Sequence, residues 1–362
     1  MGAAPSSELD AFYADVARAD LRPLWTQTGL LPGSPPIADV PFVWRWTRLR
    51  ELAERAGRLV TVDRGGDRRV LALANPGLGG EPYATRTLWA AVQYLGPGEF
   101  APAHRHTPAA IRFVLEGHGV WTLVDRDPVT MAPGDLVLTP SWCWHEHHSS
   151  GDGPMLWFDG LDLPMVRALD AVFFEPGPSS TVDRLIDPVS ASEVAHGRAG
   201  LADDERPWQG AHSPLLAYRW NDTDAYLRDA VARSESGHAV VRFTDPSTGR
   251  DAVPTMRCTA HRAVPGVRSP SRRRTGSSVW VTYEGAVLVV VDGIRYELGR
   301  GDLLAVPSWA AFDVEAIEPT TLFTISDAPV LEALGLAQAE VLPIHQAVTS
   351  DETPAAATGS MG

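Results

Sequence analysis

The sequence predicts a mainly β protein built from two copies of one β-sandwich or barrel domain, with helices before and between the copies. From Leu59 onward, apolar runs are short and are separated by Gly- and Pro-containing turn signals about every 8–12 residues. Gly134–Trp142 recurs as Gly301–Trp309, with six of nine residues identical at an offset of 167. Glu116-Gly117 recurs as Glu284-Gly285 at an offset of 168. Two matches in the same order indicate an internal duplication.

Length and composition agree with a two-domain protein and exclude several partners. The chain has 362 residues, of which 44% are hydrophobic, and this is enough for two sizeable cores. With 31 basic and 45 acidic residues the net charge is −14, so we expect neither nucleic acid nor an anionic membrane as a partner. The sequence has no apolar run of about 18 residues and no signal-peptide pattern. We therefore expect a cytoplasmic protein, with Cys143 and Cys258 as free thiols.

Residues 1–58 are predicted to form an N-terminal helical arm. Apolar residues recur at helical spacing over residues 9–16, after Ser6 and Ser7, which can cap a helix. The segment WRWTRLRELAERA, residues 44–56, predicts a second helix. We interpret this part of the chain as an arm that covers the β-domains or contacts another subunit.

Residues 59–168 are predicted to form the first β-domain. The segment RLVTVDRGGDRRVLALANPG indicates two strands around Gly65-Gly66, and TRTLWAAVQYLGPGE predicts another strand. On this strand Trp89 and Gln93 share one face, and the alternate residues share the other. A Gln beside a Trp on one face indicates a pocket lining. The alternative is that Gln93 faces solvent.

The remaining boundaries follow from changes in composition. Residues 169–235 are predicted to be a linker, rich in Pro, Gly, Ser and Asp, with a helix in NDTDAYLRDAVAR that Asn221 or Thr223 can cap. The second β-domain spans residues 236–330, and a C-terminal segment spans 331–362. The tail from Ser350 onward offers no apolar residue worth burying, so we expect it to be disordered.

A group of histidines predicts a metal site in the first β-domain. Six of the 11 histidines lie between His104 and His148. Because alternate residues of a strand share a face, His104 and His106 can hold one ion. His145 lies 39 residues after His106 and must come from another strand. Mn(II), Fe(II), Ni(II) and Zn(II) all suit three neutral imidazoles, so the sequence does not fix the metal.

The second copy of the domain acts as an internal control. The approximate counterparts of His104, His106 and His145 are Arg272, Arg274 and Phe312. The second copy keeps the repeated Gly, Pro and Trp residues but has none of these three histidines, so the fold does not require them. Metal binding explains their presence in the first copy better than packing does.

The spacing of these residues resembles the two signature motifs of the cupin superfamily. The pattern is Gly98 and His104-Arg105-His106, followed by Pro133-Gly134-Asp135, Pro140 and His145. The resemblance implies two double-stranded β-helix (jelly-roll) barrels, a bicupin. The usual first motif has a Glu three or four residues after the second His, where this chain has Ala110. We interpret Glu116 as structural, because its counterpart Glu284 persists in the copy without histidines.

Longer segments, such as HRHTPAAIRFVLEGHG and MAPGDLVLTPSWCWHEHHSSGDGPMLWFDGLDLP, resemble the gentisate 1,2-dioxygenases and the related salicylate and 1-hydroxy-2-naphthoate dioxygenases. The resemblance spans nearly residues 10–330. It implies one Fe(II) per chain, held by His104, His106 and His145, and a homotetramer. It also implies the substrate-pocket residues Arg64, Arg68, Trp89, Gln93, Arg112, His147 and Asp159, although Arg69 competes with Arg64 and Arg68 for contact with the substrate.

The resemblance gives these residues roles in ring cleavage. Arg112 suits a carboxylate clamp, and its alternative is a salt bridge to Glu116 or Asp125. His147 suits a general base that takes the proton of the 2- or 5-hydroxyl, and its alternative is a fourth metal ligand. Asp159 would orient either His147 or Arg112.

Most of the other aromatic, His and Cys residues near the histidine group are interpreted as structural. We interpret Trp89 as pocket lining and Trp142 as structural, because the counterpart Trp309 persists in the second copy. His118, His148 and Cys143 are interpreted as residues without a role in the site.

The leading hypothesis is an Fe(II)-dependent dioxygenase that uses O2 to cleave gentisate and gives maleylpyruvate. The nearest alternative is the same cleavage of salicylate, a substituted salicylate or 1-hydroxy-2-naphthoate. A metal-dependent cupin isomerase that needs no oxygen and a non-catalytic sensor or storage bicupin are further alternatives. Storage is disfavoured by the complete set of three histidines, and a sensor by the lack of a basic DNA-binding helix pair.

Overall fold

The protein is described by a computed structural model for residues 7–60, 69–177, 189–198 and 208–352. The chain forms two compact units, Met1–Ile37 and Ala38–Gly362. None of the helices in the described ranges is long and apolar enough to cross a membrane. The described α-helices are α1 (Ser7–Arg18), α2 (Trp46–Leu59), α3 (Leu163–Ala168), α4 (Ala191–His196), α5 (Trp220–Ala232) and α6 (Ala328–Ala333).

The first unit contains the predicted N-terminal helix. Helix α1 carries Glu8 and Asp10 in its first turn, where acidic side chains favour the helix dipole. A short 3-10 turn follows at Leu24–Thr26. The indole nitrogen of Trp25 donates a hydrogen bond to the Tyr13 hydroxyl at 3.1 Å, which ties the turn to the helix.

The first barrel packs a six-stranded sheet against a five-stranded sheet. Both sheets are antiparallel, and side chains from both fill one interior core that includes Val114, Trp157 and Val129. The six-stranded sheet contains, in spatial order, β12 (Ala217–Tyr218), β8 (Leu136–Thr139), β5 (Ala110–Glu116), β10 (Met155–Leu161), β3 (Trp89–Leu95) and β2 (Val70–Ala72). The five-stranded sheet contains β11 (Phe174–Pro176), β4 (Phe100–His106), β9 (His145–Ser149), β6 (Val120–Val124) and β7 (Asp127–Met131).

The second barrel repeats this plan with two six-stranded sheets. Its interior core includes Trp280, Val289 and Phe312. One sheet contains, in spatial order, β1 (Phe42–Trp44), β19 (Leu303–Val306), β16 (Ser278–Glu284), β21 (Thr320–Ser326), β14 (Arg257–Ala263) and β13 (His238–Arg242). The other contains β22 (Ala339–Val341), β15 (Arg272–Arg274), β20 (Phe312–Ala316), β17 (Val287–Val291), β18 (Ile294–Leu298) and β23 (Ser350–Asp351). The predicted fold class, a mainly β chain with two jelly-roll barrels, is confirmed.

A third core joins the two barrels. The outer faces of the sheets that contain β5 and β16 pack against each other, so these strands are buried on both faces. Phe113 of the first barrel stacks on Phe323 of the second, with ring centroids 4.1 Å apart, and Phe158 also contacts Phe323. Burial of alternate residues on opposite faces explains why these strands are nearly continuous apolar runs in the sequence.

The two halves of the chain exchange strands. Strand β1 precedes the first barrel but pairs with β19 of the second, and β12 precedes the second barrel but pairs with β8 of the first. Each strand leads into a helix whose first turn is capped by the barrel it joins. The Asp302 carboxylate accepts a hydrogen bond from the backbone N–H of Trp46 at 2.8 Å, and Asp135 accepts one from Trp220 at 2.9 Å.

This arrangement corrects the cap predicted for the linker helix. Helix α5 begins at Trp220, before both Asn221 and Thr223, and neither side chain caps it. Its cap is the distant carboxylate of Asp135, which the local sequence could not reveal. A Cβ on Gly134, whose φ is +86°, would collide with the Trp220 ring, so the repeated glycine is required by this packing.

Two segments with a predicted structure, the hairpin around Gly65-Gly66 and the C-terminal tail, are only partly described. Of the two strands predicted around Gly65-Gly66, the second is present as β2, and residues 61–68 lie outside the described part of the chain. The start of the tail that was predicted to be disordered is paired, because Ser350 and Asp351 form β23 in parallel with β18. Residues 353–362 are outside the described ranges.

Candidate metal centre

Two adjacent strands bring the three predicted histidine ligands together. Strand β4 presents His104 and His106 on one face, and β9 pairs with it so that His104 lies opposite His145. The ring centroid of His145 lies 4.2 Å from that of His104 and 4.8 Å from that of His106. One ring nitrogen from each residue lies within 4.8 Å of the other two. The strand register alone therefore creates a three-imidazole cluster inside the first barrel.

Backbone carbonyls orient each of the three rings. The Nδ1 atoms of His104, His106 and His145 lie 2.9, 2.7 and 3.0 Å from the carbonyl oxygens of Pro102, Pro108 and Cys143. A carbonyl can only accept a hydrogen bond, so each Nδ1 carries the proton and each Nε2 keeps its lone pair. A hydrogen bond from the ring nitrogen that does not hold the metal is typical of metal-ligating histidines, because it fixes the tautomer and the orientation of the ring.

The cluster fits a divalent metal ion. The Nε2 atom of His145 is buried and has no hydrogen-bond partner among the described residues. Burial, together with the charge of Arg112 and the neighbouring histidines, holds the pKa of His145 well below its ordinary value, so the ring is neutral. A neutral, buried imidazole with an unused lone pair is the form that binds a metal.

The second barrel confirms the internal control residue by residue. Arg272 lies opposite Phe312 on β15 and β20, as His104 lies opposite His145. The backbone N–H of Trp309 donates to the Arg274 carbonyl at 2.7 Å, as that of Trp142 donates to His106 at 2.8 Å. The backbones are therefore equivalent at these positions, and only the side chains differ.

A buried ion pair lies in the interior of the same barrel. Arg112 of β5 faces Asp159 of β10, and the Arg112 Nε atom is 3.6 Å from Asp159 Oδ1. The indole nitrogen of Trp157 donates to the same carboxylate at 3.0 Å, and Arg112 also donates to the Thr139 hydroxyl. Burial raises the pKa of Asp159 to about 7, although Arg112 and the Trp157 indole act to lower it.

The alternative partners proposed for Arg112 are engaged elsewhere. Glu116 accepts a hydrogen bond from the Trp46 indole at 3.0 Å and pairs with Arg50 at 3.0 Å. The Asp125 carboxylate accepts the backbone N–H of Trp144 at 2.8 Å. The alternative prediction of a salt bridge from Arg112 to Glu116 or Asp125 is therefore wrong. The contacts of Glu116 agree with a structural role.

His147 points into the same interior as His145. It is fully buried, its ring centroid is 6.1 Å from that of His145, and it lies 5.5 Å from the Trp157 ring. Its Nδ1 atom is 2.8 Å from the Thr122 hydroxyl, which in turn donates to the sulfur of Met131 at 3.1 Å. Burial is the main cause that lowers the pKa of His147 well below its ordinary value.

The other pocket predictions have mixed outcomes. Gln93 lies opposite Trp157 and is only 7% exposed, so the solvent-facing alternative is wrong. Trp89 lies half-buried at the start of β3, opposite Leu161. Arg64 and Arg68 lie outside the described residues.

Arg69, which competed with Arg64 and Arg68 for the substrate, is already engaged. It donates to the carbonyl oxygen of Val60 at 3.2 Å, forms an ion pair with Glu99 and lies over the Tyr94 ring at 5.3 Å. These contacts hold the guanidinium against the end of α2 and the side chain of Tyr94, which packs against the core between the barrels.

The residues assigned no role have contacts that explain them. His148 stacks on Trp121 with ring centroids 4.3 Å apart, on the opposite side of β9 from His145. His118 is exposed beside Asp152. Burial and the nearby Asp125 raise the pKa of the Cys143 thiol to about 12, so this thiol stays protonated.

Sequence reasoning missed the residues that hold the pocket groups in place. Thr122, Thr139 and Trp157 contact His147, Arg112 and Asp159 respectively. Strand parity could have found Trp157, because it precedes Asp159 by two residues on one strand. Thr122 and Thr139 come from other strands, and only the register of the sheets brings them to the site.

The sequence and the fold of this chain are similar to those of several known proteins. The cupin domain family matches residues 91–161. A gentisate 1,2-dioxygenase of Streptomyces sp is 50% identical over 339 residues, covering 91% of this chain and 94% of that protein. A 5-aminosalicylate 1,2-dioxygenase of Comamonas sp is 34% identical over 357 residues, covering 95% and 94%. The crystal structure of salicylate 1,2-dioxygenase from Pseudoaminobacter salicylatoxidans with gentisate adducts has a TM-score of 0.89 at 42% identity, covering 95% of this chain and 96% of that one.

Proposed function

This chain belongs to the gentisate 1,2-dioxygenase family, and from that premise we propose that it is an Fe(II)-dependent ring-cleaving dioxygenase acting on gentisate (2,5-dihydroxybenzoate). The reaction breaks the ring bond between the carboxyl-bearing carbon and the adjacent hydroxyl-bearing carbon. Both atoms of O2 enter the product, maleylpyruvate. The observation that carries the proposal is the cluster of three carbonyl-oriented imidazoles from His104, His106 and His145.

In this proposal the three histidines hold one iron ion per chain. The donor set fits, because all three rings are oriented with Nε2 unprotonated and, within the described part of the chain, the cluster consists of three histidines without a carboxylate. When bound, Fe(II) supplies open coordination positions for an ortho-hydroxy acid and dioxygen and a path for electrons between them. The counterparts Arg272, Arg274 and Phe312 offer no such donor set, which supports a single iron rather than two.

Arg112 is proposed to bind the substrate carboxylate. Its guanidinium suits a carboxylate in bidentate fashion, and its burial strengthens such a bond. Asp159 competes for the same guanidinium, and its raised pKa, about 7, allows it to take up a proton near neutral pH. Protonation of Asp159 then leaves the charge of Arg112 available to the substrate. Gln93 and Trp89 lie on the same face of β3 and complete the proposed pocket, together with Arg64 or Arg68.

His147 is proposed to accept the proton of a ring hydroxyl. The Thr122 hydroxyl has one hydrogen, and its donation to Met131 leaves the oxygen free to accept from Nδ1–H of His147. This chain of bonds assigns the neutral tautomer with its lone pair on Nε2, the form that a general base requires. Asp159 lies across the pocket on β10 and orients Arg112.

The same cleavage of salicylate or a substituted salicylate is the second candidate. It is supported by the relatives named for salicylate and 5-aminosalicylate, which match nearly the whole chain. 1-Hydroxy-2-naphthoate remains a further candidate of this class. We also propose that the enzyme works in the cytoplasm as a homotetramer. The free thiols suit a reducing compartment, and the family resemblance supports the tetramer.

A substrate panel tests the function. Anaerobically purified, Fe(II)-loaded protein is mixed with O2 and gentisate, salicylate, 5-aminosalicylate or 1-hydroxy-2-naphthoate. We expect gentisate to give the largest rise in product absorbance, with one O2 consumed per ring opened. If a salicylate is turned over faster than gentisate, the salicylate is the preferred substrate. Turnover of gentisate without oxygen would instead support an isomerase and overturn the dioxygenase assignment.

A further inference from the structure

A cavity of about 680 Å³ occupies the interior of the second barrel. It lies where the first barrel has its histidine cluster, because Arg272, Arg274 and Phe312 line it. Val314 lines it at the position equivalent to His147. The second barrel has therefore lost the imidazoles but kept an internal space large enough for a small molecule.

Four arginines line this cavity, and two of them have no ion pair within 4 Å in the described part of the chain. Arg257 pairs with Asp251 and Glu332, and Arg268 pairs with Asp313. The side chains of Arg272 and Arg274, by contrast, have no hydrogen-bond or ion-pair partner among the described residues. The Arg274 guanidinium lies 5.8 Å from the centre of the Phe312 ring, and the charges of Asp327 and Glu332, which are not part of the cavity lining, also act on it. Arg272 and Arg274 are alternate residues of β15, and both side chains line the cavity. Arg273 lies between them and points away, over the ring of Trp309.

The two histidines in the cavity wall do not add charge or supply a counter-ion. His238 and His261 stack with ring centroids 5.6 Å apart. Burial, reinforced by the nearby arginines, lowers the pKa of both rings, that of His261 to about 3. His261 instead forms a hydrogen bond with the Thr259 hydroxyl at 2.9 Å. No Asp or Glu is among the described residues that line the cavity.

The opposite part of the wall is apolar and aromatic. Trp280 and Phe312 form an edge-to-face pair with ring centroids 5.3 Å apart, and Leu322 packs in the same cluster. Trp280 stands at the position of Arg112, and Thr324 at that of Asp159, so the ion pair of the first barrel is absent here. The cavity thus combines two unpaired guanidinium groups with an aromatic surface.

We propose that the second barrel binds a small organic acid directly, with its carboxylate on Arg272 and Arg274 and its apolar body against Trp280 and Phe312. A carboxylate would give both side chains a direct ion-pair partner, in a geometry that guanidinium groups bind strongly. An apolar body covers aromatic surface that an inorganic anion would leave in contact with water. This site is separate from the histidine cluster and needs no metal.

Calorimetric titration of the iron-loaded protein, kept anaerobic, tests the proposal with benzoate, hexanoate and inorganic phosphate as probes. We compare the Arg272→Met/Arg274→Met double variant with Arg273→Met, a matched control on the same strand whose side chain points away from the cavity. Loss of two charge-assisted bonds is expected to weaken one benzoate-binding event by at least about tenfold in the double variant. The control is expected to bind as the unmodified protein does.

Two results overturn the proposal. One is equal benzoate affinity in the double variant and the unmodified protein. The other is phosphate binding at least as tightly as benzoate and hexanoate, which would indicate an inorganic anion site. If the double variant lacks a cooperative thermal transition, hydrogen–deuterium exchange of the unmodified protein decides. Benzoate should slow exchange at residues 270–275 and 312–316, and unchanged exchange at both segments contradicts the site.

Discussion

The two barrels share a backbone plan but differ in what their interiors contain. Both have a glycine-aspartate turn that caps a helix from the other half of the sequence, and both hold a tryptophan at positive φ, +64° at Trp142 and +62° at Trp309. In the first barrel the interior strands present imidazoles and a buried Arg–Asp pair. In the second they present arginines, aromatic rings and aliphatic side chains.

This difference separates the residues that form the fold from those that perform chemistry. The equivalent interior positions, read from strand register, are His104 and Arg272, His106 and Arg274, His145 and Phe312, His147 and Val314, Gln93 and His261, Arg112 and Trp280, and Asp159 and Thr324. None of these pairs is identical, whereas the turn and cap residues are. The repeated turn and cap residues therefore serve the backbone plan that both barrels share, whereas the interior residues differ between them.

The largest expected effect comes from removal of one imidazole of the first barrel. His145→Ala should reduce iron to near zero per chain and lower kcat/KM by on the order of a thousandfold, since the metal supplies several kcal/mol of transition-state stabilisation. Metal analysis and gentisate turnover check this. His148→Ala, on the same strand with its side chain outside, is the control and should keep both. Iron retained by His145→Ala would place metal elsewhere, including in the second barrel.

The next effect concerns His147, whose counterpart is Val314. His147→Gln should lower kcat by about a hundredfold while iron content stays near one per chain, because a general base is lost but no ligand is. Thr122→Val should have a smaller effect, because it disturbs only the tautomer and position of the ring. Iron content, kcat and KM are measured together. Loss of iron in His147→Gln would favour the alternative that His147 is a fourth ligand.

The exchanged helices are expected to contribute equally in the two barrels. Asp135→Asn and Asp302→Asn each keep the shape of the side chain but remove its negative charge. In the unmodified protein, that carboxylate accepts the backbone N–H of Trp220 or Trp46 and pairs with Arg219 or Arg45. Each should lower the free energy of unfolding by about 2 kcal/mol. Denaturant unfolding of the two variants provides the comparison. A large difference between the two losses of unfolding free energy would contradict the expectation that the two caps contribute equally.

The smallest expected effect is a pH dependence located in the second barrel. The pKa of His261 falls from 6.5 to about 3 on folding, mainly through burial, with His238, Arg274 and Arg272 acting in the same direction. The unfolded chain therefore binds a proton at His261 below pH 6.5 when the folded chain does not, and stability is lost as pH falls toward 3. These pKa values give a loss of about 2 kcal/mol between pH 7 and pH 5, which His261→Gln should remove.

The control for this pH effect is internal, because every other histidine is common to both proteins. Unfolding free energies of the unmodified protein and His261→Gln are compared at the two pH values. Parallel pH dependence would show that His261 does not remain neutral in the folded chain.

Much of the fold and of the site can be predicted from the sequence, because the features concerned depend on residues close together in the chain or on the alternation of side chains along one strand. The repeated Gly-Asp and Pro-Ser-Trp segments mark turns whose geometry depends on a few neighbouring residues. The His104, His106 and His145 ligands follow from strand alternation and from the copy that lacks them. The pocket face of Gln93 follows from the same alternation.

The features that sequence reasoning missed depend on register between distant strands. The cap of α5 by Asp135 and the contact of Thr122 with His147 each join residues far apart in the chain. The exchange of β1 and β12 between the barrels is also invisible locally, because either strand could pair with its own half. The cavity of the second barrel was missed for a different reason: its residues resemble no known motif.

An anaerobic titration of metal-free protein with Fe(II), followed by gentisate turnover at each ratio, tests the central claim that one barrel holds the chemistry. Activity and bound iron should rise together and both saturate at about one iron per chain, because the one cluster of three imidazoles among the described residues lies in the first barrel. Saturation at two irons per chain, or gentisate cleavage at full rate without bound iron, would contradict it.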